Sequence, residues 1–145
     1  MKEFKQLGAY GLVIKDDKIL LIKKNGGPYD GKLDLPGGTI EFCERPSEAL
    51  IRELKEEVGI DVKEYELFDT DSVKFDWKYE KEDIRVHHTG VFYKVKDFTG
   101  DILADIKIDE VNDDSKGAEF YSFNELSKDN LSAIAIMELE KLGVI

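Results

Sequence analysis

GTIEFCERPSEALIRELKEEVGI, running from Gly38 to Ile60, sets four glutamates around one arginine at fixed spacing. Glu44 comes first, then Arg52, Glu53, Glu56 and Glu57, then Gly59 and the apolar Ile60. Pro46 suits the first turn of a helix, where its missing N–H would have no partner anyway. Nothing between Pro46 and Val58 breaks a helix, and Leu50, Leu54 and Val58 recur every four residues as an apolar stripe. Gly59 stands where a left-handed C-cap is expected. On that helix Glu53, Glu56 and Glu57 fall at i, i+3 and i+4, within roughly 100° of one another. Three like charges so close repel, unless they splay into solvent or a hard cation sits among them. Mg²⁺ takes oxygen ligands and is often shared between carboxylates and substrate phosphates. Arg52 can pair with Glu56 one turn on, or with Glu44 in the loop, and its guanidinium can hold a carboxylate by two parallel bonds.

An isolated E-x-x-E-E is usually a solvated acidic face. Here the whole spacing is filled. Gly37-Gly38 precedes the helix, and paired glycines allow close approach of a ligand to the backbone. The segment resembles the signature of the Nudix hydrolases, GX5EX7REUXEEXGU with U a bulky aliphatic, and every specified position matches. A chance match at a given start is about 1 in 10^8.

The resemblance implies an α/β fold, an α/β/α sandwich with a mixed β-sheet between helices. It also implies metal-dependent hydrolysis of a pyrophosphate bond in a nucleoside diphosphate linked to a group X. Glu53, Glu56 and Glu57 would hold Mg²⁺, with Mn²⁺ as a substitute, and the carbonyl of Gly37 is a further candidate ligand. Glu53 is a candidate base, and Arg52 and Glu44 would orient the ligands. A late acidic ligand is expected from Asp113, Asp114 or Glu119, with Asp113 or Asp114 lying where the MutT-like branch places such a carboxylate. These residues equally have the composition of a turn.

Candidate substrate contacts are less specific. Lys23, Lys24, Lys32 and Arg85 are possible phosphate-binding cations. Alternation on a strand sends Lys23 and Lys24 to opposite faces, so only one should enter a site. Phe75, Trp77 and Tyr79 alternate and share a face, where they serve base stacking, a core edge or a dimer contact. His87 and His88 must face opposite sides, a poor arrangement for joint metal binding, and neither reads as a ligand. Asn130 can cap the last helix. It also stands where the MutT-like branch reads a purine. Cys43 reads as a small, partly buried loop residue.

The 145 residues suit one domain, 1–145, large enough for a sizeable core. No apolar run approaches the ~20 residues that span a bilayer, and no apolar signal-peptide core follows Met1. A lone cysteine cannot form an internal disulfide, so a cytoplasmic location is expected. The net charge of −11 disfavours a long nucleic acid, whose binding is mostly phosphate neutralisation. A small nucleotide-diphosphate substrate remains open to it, because a bound cation reverses the local field.

Elsewhere the pattern predicts a hairpin of residues 7–15 and 18–24 about Asp16-Asp17, and a loop over 25–32. A strand over 65–75 is expected to break near 69–72. A long strand over 84–95, a turn over 98–101, a polar loop over 109–116 and a short strand over 118–123 follow. A second helix is expected over 131–142. The expected substrate is a (d)NTP-type nucleotide, because the chain lacks the N-terminal extension often swapped between subunits of ADP-ribose pyrophosphatases. ADP-ribose or a nucleotide sugar is the alternative. A non-catalytic nucleotide-sensing module is a second class, and a partner-binding protein a third. An enzyme should be silent without Mg²⁺ and sensitive to Glu57→Gln, whereas a partner-binding module should be indifferent to both. Monomer and homodimer both fit.

Overall fold

The structure, a computed structural model, describes residues 1–102 and 115–145, with 115 and 116 by backbone alone. In chain order the elements are β1 (Lys2–Leu12), β2 (Ile14–Lys15), β3 (Lys18–Lys24), β4 (Leu33–Asp34) and β5 (Gly37–Thr39). Then come α1 (Pro46–Val58), β6 (Asp61–Tyr79), β7 (Glu82–Thr99), β8 (Ser115–Ser122) and α2 (Ala133–Leu142). A single turn of 3₁₀ helix, Phe123–Glu125, follows β8.

The strands form two four-stranded sheets. In the first, ordered β5-β1-β7-β6, β1 runs parallel to β7 and antiparallel to β5, so this sheet is mixed. In the second, β3 pairs antiparallel with β2, β4 and β8. A helix packs on each side. Residues 19–22 of β3 show why this layering follows from the sequence. All four are buried, and their period of two divides them between two cores. Leu20 and Ile22 join Leu50, Leu54 and Val58 of α1, whereas Ile19 and Leu21 join Ile134, Ala135 and Leu139 of α2.

Helix α1 has the bounds its sequence predicts. Pro46 opens it, the Glu48 carboxylate accepts from the Arg45 amide at 2.9 Å, and Gly59 closes it in the left-handed region at φ 79°. The expected turn at Asp16-Asp17 has φ 52° and 60°, the signs of a tight hairpin turn, and joins β2 to β3. β1 is a separate, longer strand.

Several expectations need correction. The loop expected over 109–116 gives way to β8 at Ser115, and its residues 109–114 lie outside the described residues. The strand over 65–75 does not break at 69–72. It is one strand, 61–79, and a bulge between Leu67 and Asp69 absorbs the irregularity. The turn over 98–101 begins later, because β7 continues to Thr99 before Gly100. Asn130 does not cap α2. Ser132 does, its Oγ accepting from the Ala135 amide at 3.2 Å. Cys43 is exposed, held at φ 66° beside the fully exposed Phe42.

Candidate functional site

Gly37 and Gly38 bring β5 against α1, and each is glycine for its own steric reason. Gly37 has φ 139°, and a Cβ there would stand 2.2 Å from the Ala9 carbonyl oxygen. A Cβ on Gly38 would stand 2.7 Å from the Glu53 carboxyl carbon. The backbone therefore passes directly over the acidic face of α1. The Gly37 amide donates to Glu57 Oε1 at 2.9 Å.

Arg52 organises the rest, and each of its five N–H donors has a role. Nε and Nη2 form a fork on the Glu44 carboxylate at 2.7 and 2.9 Å. Nη1 donates to Glu53 at 2.9 Å and to Glu56 at 3.3 Å. Nη2 also donates to the Thr39 carbonyl at 3.0 Å, which ties the helix to the end of β5. The two pairings open to Arg52 from sequence, Glu56 and Glu44, are both present, and the fork goes to Glu44. The Arg52 bonds, with the Glu41 amide, hold the Glu44 carboxyl down at about 2.

Glu53, Glu56 and Glu57 line one wall of a cleft of about 730 Å³, within the usual range for a small-molecule site. Gly37, Gly38 and Thr39 form its edge. Lys24, the Asn25–Tyr29 stretch of the loop, and Phe4 and Gln6 of β1 also line it. Tyr10, Asp34 and His88 lie deeper. The three glutamates are the right donors for a hard divalent cation, and they share one turn of helix. Among the described residues, no three acidic, imidazole or thiol groups stand close enough together to hold a metal as placed. Glu53 and Glu56 are drawn toward Arg52 and Glu57 toward Gly37, so a cation requires them to turn inward about their side-chain bonds.

The other candidate residues fall differently. Lys23 does not line the cleft, and Lys24 does. The two alternate along β3, and the pairing with β8 slips between Ile22 and Lys24. Lys32 is turned away, its ammonium on the Asp129 carbonyl at 2.6 Å. Arg85 pairs with Asp76 on the exposed β6–β7 ribbon. Phe75 lies against the core of α2 and stacks on Tyr29 with ring centroids 5.5 Å apart, so it braces a cleft residue from behind. Asn130 accepts from the Ser127 amide and shapes the turn before α2. Glu119 accepts from the Tyr121 hydroxyl, away from the cleft. Asp113 and Asp114 lie outside the described residues.

The group that sequence reasoning missed is His88, which is buried between two tyrosines. The Tyr10 hydroxyl lies 2.6 Å from Nε2 and the Tyr29 hydroxyl 2.9 Å from Nδ1. Burial, helped by the charge of Lys24, pushes the imidazole pKa down to about 4. A signal was present: Val86, His88, Gly90 and Phe92 are the buried alternate positions of β7. A histidine on such a face needs hydrogen-bond partners. Asp34 is also buried. Its Oδ1 accepts from Ser132 Oγ at 2.6 Å and from the Leu35 amide at 2.9 Å, fastening the cleft floor to the start of α2.

The family model of the NUDIX domain matches residues 5–138. An ADP-ribose pyrophosphatase of Methanocaldococcus jannaschii is 35% identical over 118 residues, 81% of this chain and 62% of that protein. An 8-oxo-dGTP diphosphatase of Escherichia coli is 36% identical over 63 residues, 42% of this chain and 49% of that protein. The matched part of the chain thus spans between about half and three fifths of these relatives' length. The crystal structure of a MutT NUDIX hydrolase from Burkholderia pseudomallei shares the fold. Its TM-score is 0.73 at 24% identity, over 94% of this chain and 97% of that one.

Proposed function

Because the chain belongs to the NUDIX domain family, we propose that its cleft hydrolyses a pyrophosphate bond in a nucleoside diphosphate linked to a group X. The observation that carries this reading is the convergence of Glu53, Glu56 and Glu57 on one cleft wall, with Arg52 bonded to Glu53 and Glu56 and the Gly37 amide to Glu57. Bound there, Mg²⁺ or Mn²⁺ supplies Lewis acidity toward phosphate oxygens and lowers the pKa of water. Glu53, Glu56 and Glu57 hold the cation, with the Gly37 carbonyl and Asp114 as further candidate ligands.

The chain's own groups then divide the work. Glu53 takes the proton of the attacking water. Arg52 fixes the direction of Glu53, and Glu44 fixes Arg52. The Gly37 amide orients Glu57. Lys24, rather than Lys23 or Lys32, faces the substrate's phosphates. The active protein works on small nucleotides in the cytoplasm. No helix among the described residues is long and apolar enough to cross a membrane.

For X, the first reading is a (d)NTP-type substrate, in line with the 8-oxo-dGTP diphosphatase relative. The second is ADP-ribose, which the longer alignment to an ADP-ribose pyrophosphatase favours. Release of phosphate, pyrophosphate or nucleoside monophosphate would be measured with Mg²⁺. The substrates are the common (d)NTPs, 8-oxo-dGTP, ADP-ribose, nucleotide sugars, NADH and dinucleoside polyphosphates. Mg²⁺-dependent release of pyrophosphate from a triphosphate supports the first reading, and AMP with ribose 5-phosphate the second. Folded protein that is silent across the set, with and without Mg²⁺, would overturn the hydrolase reading and favour a nucleotide-sensing module.

A further inference from the structure

The N-terminal half of β1 is an open edge of its sheet. β1 pairs with β7 along its whole length without a slip, but β5 covers its other side only from Gly8 to Tyr10. Beyond that, the Ile40 amide donates to the Leu7 carbonyl at 3.1 Å. Backbone groups alternate in direction along a strand, so the N–H and C=O of Glu3 and Lys5 point the same way as those of Leu7. Among the described residues, no main-chain group meets them on that side. Met1, Phe4 and Leu7 expose large apolar side chains along the same edge. A free edge of this kind is a template for another strand.

The order of its side chains fits a second copy of this chain. Set antiparallel about a two-fold axis at Phe4, the strand places Met1 opposite Leu7, Lys2 opposite Gln6, Glu3 opposite Lys5 and Phe4 opposite Phe4. Apolar residues meet apolar ones, and each glutamate meets a lysine. Moving the axis to Glu3 or to Lys5 would oppose like charges, so charge selects the register. The direction of the backbone groups agrees. Glu3 and Lys5, whose N–H and C=O face outward, exchange both bonds of a hydrogen-bonded pair, and Phe4 meets Phe4 at the alternate position, where side chains approach more closely. We propose that the protein forms a two-fold dimer by antiparallel pairing of residues 1–7, which joins β6-β7-β1 of one copy to β1-β7-β6 of the other. Two lysines against one glutamate spare this edge the negative charge that the chain carries overall. The axis stands perpendicular to the sheet, and Phe4 and Gln6 line the cleft. Both clefts therefore open on one face of the joined sheet, each with Phe4 of the second copy at its rim. The pairing does not depend on what the cleft binds.

Sedimentation tests it. From about 1 to 100 µM the wild type should show a monomer–dimer equilibrium with a micromolar Kd, because one strand pair is a small interface. Glu3→Lys and Lys5→Glu each set like charges opposite one another in both symmetry-related pairs, and should raise Kd about tenfold or more. Both residues are exposed and neither lines the cleft, so circular dichroism should stay native. The double variant restores opposite signs across the axis and should recover Kd to within about threefold of the wild type. A wild type that stays monomeric throughout overturns the proposal and leaves the edge to an extended segment of another protein. A dimer that neither single variant weakens lies on another surface and overturns it equally. Weakening in both single variants without recovery in the double variant overturns the register centred on Phe4.

Discussion

Gly38→Ala should separate the catalytic geometry from the fold. An added Cβ would lie 2.7 Å from the Glu53 carboxyl carbon and 2.8 Å from both its oxygens. Carbon atoms in contact sit near ~3.5 Å, so the carboxyl must retreat by about 0.8 Å. Its bond to Arg52, now 2.9 Å, would then stretch past the hydrogen-bond range. The displaced atoms are the end of a flexible side chain, so the strain is about 1 kcal/mol. Stiffening the unfolded chain offsets up to about 1 kcal/mol of that. Stability should therefore stay nearly level, with Tm within a few degrees. Activity should not, because a displacement approaching 1 Å of a reacting group costs on the order of 10²-fold in rate. Turnover of the best substrate with saturating Mg²⁺, read beside a calorimetric melt, should show kcat down about 10- to 100-fold. An alanine variant with wild-type kcat would refute the idea that Glu53 must stand where Gly38 leaves room for it. A large drop in Tm would instead make Gly38 a folding residue.

The neighbouring glycine should behave in the opposite way: Gly37→Ala sets a Cβ 2.2 Å from a backbone oxygen, which cannot yield as a side chain does, so denaturant melts should show a loss of several kcal/mol or no folded protein. Glu53→Gln and Glu57→Gln should each lower turnover by ~10²-fold or more while circular dichroism stays native, and normal turnover in both would remove the metal and base roles from this helix. Glu138 is fully buried, with the Lys141 ammonium 3.9 Å from its carboxyl; burial, then a hydrogen bond to Asp69 and the charges of Asp69 and Asp71, opposed by Lys141, pushes its pKa up to about 8. The folded state keeps a proton that the unfolded chain releases near pH 4.5, so stability should fall as pH rises from about 4.5 to 8, by up to ~1.4 kcal/mol per unit. Glu138→Gln should remove that slope, and parallel urea melts of the two proteins across that range would disprove it.

What could be read from the chain was what local rules govern. Helix α1 obeys them at every point, with Pro46 at its first turn, a four-residue apolar stripe and a glycine in the left-handed cap. Its acidic face follows from 3.6 residues per turn alone. The layering was legible at residues 19–22, where a run apolar on both faces implies a strand covered on both sides. The floor of the cleft was not legible, because no short-range rule joins its parts. Tyr10 and His88 are 78 residues apart and Tyr29 and His88 are 59 apart, brought together by which strands become neighbours. Strand period put His88 on a buried face but could not name the tyrosines. The choice between Lys23 and Lys24 failed for a similar reason. Alternation said that one of them faces the site, and only the placement of β3 beside its neighbours says which.

The arrangement around Arg52 also explains why a cation should govern binding as well as chemistry. Glu44, Glu53, Glu56 and Glu57 carry four negative charges, and Arg52 returns one positive charge, leaving three in excess at one end of the cleft. Lys24 lowers that excess by one if counted with them, which still leaves the wall acidic. A diphosphate approaching it meets repulsion that water screens only in part. Glu44 is saturated by the arginine fork and the Glu41 amide, so it serves as a fixed anchor. Glu53, Glu56 and Glu57 hang from the next turns and can rotate inward when a divalent charge arrives. Removing Mg²⁺ with a chelator should therefore weaken nucleotide binding as well as stop turnover. If calorimetry found the same nucleotide affinity with and without Mg²⁺, the acidic wall would not be where the phosphates lie.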